Sequence, residues 1–169
     1  MADQKIPFPQ EYFKFSIHKE ISWHNEYDQV FNPQTPFMYE AAYLYGLKTL
    51  MPWKMSVDTV PVVMKEWETV KMELHEEFSK RKLMEVEQPM RKGIGLFIEV
   101  LYWCNEYPAV SLNKDDDRLR IKPVNLQERL HFILSYPYKY HSYVQLTELF
   151  SEIEKTFRVQ QVTRKAKTT

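Results

Sequence analysis

The sequence predicts an all-α protein: a single-domain helical bundle of about five to six helices, with an irregular N-terminal arm and one long linker. Three observations carry this. Apolar residues recur at three- and four-residue spacing over long stretches, as one buried face of a helix requires. The punctuation between those stretches comes from prolines rather than from glycine-rich turns. A chain of 169 residues, 44% hydrophobic and 15% aromatic, has enough material for one core. The helical domain is expected over residues 1–157, followed by a basic, flexible tail over 158–169.

Taken in order, Gln10 to Glu20 reads as a first short helix, with Tyr12, Phe13 and Ile17 apolar. Trp23-His24, with Glu26 and Tyr27, forms an aromatic and polar cluster suited to pinning the arm onto the bundle. Thr35-Pro36 reads as an N-cap and first helical residue, opening a helix from Phe37 to Leu50 that stops before Pro52. The next helix runs from Asp58 or Thr59 to Lys82, with Val60, Val63, Met64, Trp67, Val70, Leu74 and Phe78 on its buried stripe. Pro89 opens a third, reaching Glu106; it is apolar on several faces and therefore central. A linker from Tyr107 to Val124 carries the acidic run Asp115 to Asp117, and Arg118 to Ile121 alternates enough for a short extended segment. Two closing helices are expected, one capped by Asn125 with Glu128, the other by Ser142 with Gln145.

Composition excludes more than it selects. Basic and acidic residues number 23 each, so there is no overall field to attract nucleic acid. The glycines, Gly46, Gly93 and Gly95, lie in apolar runs, and neither a dinucleotide fingerprint nor a phosphate loop is present. One cysteine, Cys104, allows no internal disulfide, and no apolar run approaches the roughly 18 residues of a membrane span. With no signal-like segment in Met1 to Pro9, the expected setting is the cytoplasm. His75-Glu76 lacks the second histidine of a zinc-protease helix, and no Gly-x-Ser-x-Gly elbow occurs; neither a metal nor a cofactor is expected.

Three sets of residues stand out. The turn Tyr136, Tyr138, Lys139, Tyr140 and His141 places amphipathic rings beside cationic or ionisable groups at a helix start. That composition suits a protein interface or base stacking, and equally a cap over the core. Lys155, Arg158, Arg164, Lys165 and Lys167 form an acid-free basic end, a candidate contact for nucleic acid. Glu40 is the single charge in its apolar helix, a candidate acid, base or ligand anchor if desolvated. Glu99 shares a wheel position with Lys92, Gly95, Tyr102 and Glu106 and is expected in solvent.

The run Lys122-Pro-Val-Asn-Leu-Gln-Glu-Arg-Leu130, with His141-Ser-Tyr-Val-Gln-Leu146 and Leu149-Phe-Ser-Glu-Ile-Glu-Lys155, resembles the YpoC-like family of small bacterial proteins. The resemblance implies no assigned activity and no catalytic residues; it implies a gene setting beside DNA replication initiation, base-excision repair and cell-wall synthesis. The expected role is a non-enzymatic module with a protein partner, linked to replication or repair complexes. The alternatives are direct nucleic-acid binding through the basic end and the tyrosine turn, and a small-molecule activity at Glu40.

Overall fold

The computed structural model describes residues 3–16, 18–112 and 116–169. Ile17 and Asp115, cited above, lie outside the described residues. The architecture is mainly helical, a single domain with five α-helices and one small two-stranded sheet among the described residues.

The arm differs from the helix expected over Gln10 to Glu20. Strands β1 (Gln4–Pro7) and β2 (Glu20–Trp23) pair antiparallel, with Ile6 opposite Ile21. Alternation selects this: Ile6, Ile21 and Trp23 are buried while their neighbours are exposed. The residues between hold only a short 3-10 turn, Gln10–Tyr12, which buries the Tyr12 ring. Trp23 meets Tyr39 edge-on at 5.5 Å, so the tryptophan cluster packs the arm onto the next element.

That element, α1 (Met38–Tyr45), is shorter than expected at both ends. Phe37, not Thr35, is the flanking residue, and it is left-handed (φ 65°) with no side-chain cap. At the other end Gly46, at φ 91°, stops the helix: its N–H reaches the Tyr43 carbonyl and that of Leu47 the Ala42 carbonyl. Gly46 therefore sits at a turn, contrary to its apolar sequence context.

Helices α2 (Ser56–Ser79) and α3 (Leu83–Cys104) form an antiparallel pair joined by a tight turn with Arg81 at φ 55°. Pro89 lies inside α3 rather than at its start. Fully buried Val86 draws the preceding turn into the core, and the bond Pro89 forfeits lies toward the helix's exposed first turns. From Gly93 to Cys104 every residue of α3 is buried, making it the central helix. The linker contains no strand among its described residues; Asn105 instead clamps Ile121 through both its amide and its carbonyl oxygen (2.8 Å each).

Helices α4 (Leu126–Ser135) and α5 (Tyr140–Thr168) close the chain. Asn125 flanks α4 as expected but is left-handed and makes no side-chain cap. Ser142 lies inside α5, not at its cap. Helix α5 runs antiparallel to α2: Tyr140 meets Phe78, and Phe150 stacks on Trp67 with ring centres 4.3 Å apart. The same Phe150 meets Phe97 of α3 edge-on at 5.4 Å. Residues 158–168, expected as a flexible tail, continue this helix. Lys165 and Lys167 complement the negative end of the helix dipole, and Glu154 pairs with Arg158 one turn on.

Gly93 lets α3 approach this junction. A Cβ there would meet Trp67 Cζ3 at 2.7 Å and Leu146 Cδ2 at 3.2 Å. Gly93→Ala gains about 1 kcal/mol of helix propensity, yet overpacking costs about 1–3 kcal/mol. Net destabilisation is expected, read as a lower urea midpoint; an unchanged or raised midpoint would mean that Trp67 yields without cost.

Candidate functional site

The turn from α4 to α5 is built tightly for so exposed a segment. The Tyr136 carbonyl accepts the Lys139 N–H (3.1 Å) and the Ser142 hydroxyl (2.6 Å). Ser142 is fully buried, so this bond anchors the turn from beneath. The Lys139 ammonium lies 4.0 Å from the Tyr136 ring centre, a cation–π contact. Phe132 meets both Tyr136 (5.4 Å) and His141 (5.3 Å), continuing the aromatic surface onto α4.

Solvent reaches all three rings: Tyr136 is 39% exposed, Tyr138 45% and Tyr140 58%. They do not seal the core. Tyr140 also reaches the bundle, edge-on to Phe78 at 5.4 Å and tilted against Tyr143 at 5.7 Å. Lys139 and His141 are exposed as well, so the structure gathers all five turn residues on one accessible end of the bundle.

Beside the turn, Arg129 fixes α4 to α5. Its guanidinium donates to both Glu152 oxygens (2.8 and 3.0 Å) and to the Gln145 side-chain oxygen (2.9 Å). This pinning holds Phe132 and the turn in register with α5.

The basic residues do not join this surface. Counted along α5, Lys155 to Lys167 lie about 22–40 Å from Tyr140. They also point around the helix: Lys155, Arg158 and Lys165 share one side, while Arg164 and Lys167 lie on another. Arg158 pairs with Glu154 (2.6 Å) and Arg164 with Glu106 (3.0 Å).

Glu40 is completely buried on α1. Its Oε1 accepts the Trp103 indole N–H (2.6 Å) and the Ala109 N–H (3.2 Å), while Oε2 has no hydrogen-bond partner. Burial pushes its carboxyl up to about 7, against the pull of those donors. Glu99 overturns the solvent-exposed expectation: it is 2% exposed, and it accepts the Phe37 N–H at 2.6 Å. Its wheel stripe is polar but not outward. The chain from Pro36 covers it, so closely that a Cβ on Gly95 would meet Pro36 Cβ at 2.9 Å. Burial, then the Glu40 charge, raise Glu99 well above the usual carboxylate range. Neither acid lines any of the four surface clefts with the clearest outlines.

Cys104 is buried and its thiol pushed up by desolvation, which suits packing rather than nucleophilic chemistry. Among the described residues no three His, Cys, Asp or Glu side chains are grouped to hold a metal ion, and no helix is long and apolar enough to cross a membrane.

A model of the YpoC-like protein family matches residues 57–165, from α2 to the last turns of α5. The chain belongs to the YpoC-like family. An uncharacterized protein YpoC of Bacillus subtilis (strain 168) is 36% identical over 110 residues, covering 63% of this chain and 67% of that protein. No solved structure matches. The YpoC-like region thus holds the three-helix junction, Glu99, the tyrosine turn and most of the basic end, while Glu40 and the arm lie before it.

Ser142→Ala would leave the Tyr136 carbonyl with the Lys139 N–H alone. A loss of about 1–2 kcal/mol in urea unfolding is expected, with altered near-ultraviolet circular dichroism from the tyrosines. Wild-type stability and spectrum together would mean the hydroxyl does not set the turn.

Proposed function

We propose that this YpoC-like protein is a non-enzymatic interaction module that receives a protein, or a protein–DNA assembly, on the tyrosine turn between α4 and α5. One observation carries the reading: three tyrosines, 39–58% exposed, stand on a hydrogen-bonded turn that needs none of their hydroxyls for its own closure. Rigid amphipathic rings offer large contact area at low entropic cost, which is why tyrosine is enriched at binding hot spots. The gene setting implied by the family resemblance points to replication or repair complexes as the place to look, and the cytoplasm as the compartment.

Tyr138→Ala with Tyr140→Ala is the test. In cells, crosslinking from the adjacent exposed Lys139 should yield a discrete adduct that the double variant loses. Its melting temperature should fall by only a few degrees, since the ring contacts removed, Tyr140 on Phe78 and on Tyr143, are worth about 0.5–1.5 kcal/mol each. Undiminished crosslinking would refute the reading. A large stability loss would return the rings to a structural role.

A second reading is favoured by the acid-free stretch from Lys155 to Thr169: direct nucleic-acid binding through the side of α5 bearing Lys155, Arg158 and Lys165. Anisotropy of labelled DNA should then show affinity falling steeply with salt, and substitution of those three residues by alanine should abolish it. Binding indifferent to salt, or none at low salt, would exclude it.

A further inference from the structure

Glu40 and Glu99 grip each other's helices. The α3 carboxylate takes the backbone N–H of Phe37, at the start of α1; the α1 carboxylate takes the Trp103 indole of α3 and the Ala109 N–H just after it. Three bonds therefore cross between the N-terminal segment and the central helix, all ending on two acids of like sign that are 0% and 2% exposed. Glu40 Oε2 is buried and unpartnered. Among the described residues, the titratable groups around the pair bring no compensating charge. Tyr12, from the arm, spends its hydroxyl on the Ala109 carbonyl (2.7 Å), and Tyr39 of α1 gives its own to the Tyr27 carbonyl (3.2 Å). Tyr102 of α3 bonds Asp116, and Cys104 is a buried thiol. Among the described residues, neither carboxyl is hydrogen-bonded or ion-paired to a lysine, arginine or histidine.

Two carboxylates cannot both be ionised in such a place without a cost that unfolding or local opening would relieve. We propose that Glu40 and Glu99 form a proton-operated latch: α1 and the segment before it are held on α3 while the two acids keep their protons, and loosen as they ionise.

The sign follows from linkage. The closed state binds more protons than the open one, in which each acid ionises as an ordinary glutamate. The hold is complete below the ordinary glutamate range and is lost as pH rises through the closed-state value, about 7 for Glu40. Glu40 alone, with that value, makes the opening equilibrium rise about tenfold between pH 6 and pH 8, and the raised Glu99 adds to the rise.

Two readouts on the full chain test this. The Trp103 indole N–H, bonded to Glu40, should shift in nitrogen–proton NMR spectra with a midpoint near neutrality. Hydrogen exchange, corrected for its intrinsic base catalysis, should show opening of residues 38–45 rising at least about tenfold over pH 6–8, while the turn between α4 and α5 stays level. Glu40→Gln with Glu99→Gln should abolish the rise; if that pair does not fold, Glu99→Gln alone should reduce it. A Trp103 signal constant from pH 5 to pH 9, equal pH response in the two regions, or an undiminished rise in a folded variant would overturn the latch.

Discussion

The meeting of three helices at Trp67 governs the arrangement of everything else. Its ring lies flat on Phe150 of α5, while the absence of a side chain at Gly93 brings α3 up beneath it. With Phe97 edge-on to the same phenylalanine, the contact fixes α2, α3 and α5 relative to one another at one level of the bundle. The spacing of α2 and α3 leaves one face of α3 for α1 and the arm to cover. The line of α5 along α2 determines where the tyrosine turn projects. The two regions of chemical interest, the turn and the buried acids, are thus set by the same junction from opposite sides.

The two regions differ in kind. The turn is accessible and structurally self-sufficient: its closure uses backbone groups and a buried serine, leaving its rings to solvent. The acids are inaccessible and bonded only to the protein itself, with one Glu40 oxygen left unpartnered. Loss of a carboxylate there alters how the arm sits on the bundle, whereas loss of a ring at the turn alters what the bundle presents.

The periodic helices were legible from sequence because their burial follows local spacing: Val60, Val63, Trp67, Val70 and Leu74 are buried as read, with Met64 and Phe78 half-buried at the stripe's margin, and α3 is central. The helix ends were not. Val86 overrode Pro89, and Phe37 and Asn125 adopt left-handed conformations that no side-chain cap announces. The hairpin in the arm escaped because Tyr12, Phe13 and Ile17 read as the apolar side of a helix, whereas Tyr12 is buried from a short 3-10 turn. At the candidate site, the tyrosine turn was visible as composition and its exposure was not, since that depends on how far α5 runs past Phe78. Glu99 shows the limit of a helical wheel most clearly. A polar stripe was equated with solvent, although a segment some 60 residues earlier in the chain lies over it. Gly95, in the same stripe, was the one local sign of that covering.

The order of the elements along the chain has a consequence for synthesis. Trp67 emerges from the ribosome early, and so does the α2–α3 hairpin around it, whose contacts are local and quick to form. Its platform, Phe150, is made 83 residues later. Until residues 140–157 have been translated, the α2–α3 hairpin carries an uncovered aromatic face, the kind of surface that chaperones and misfolding partners recognise. A YpoC-like chain stalled before α5 would be a hairpin with an exposed flank.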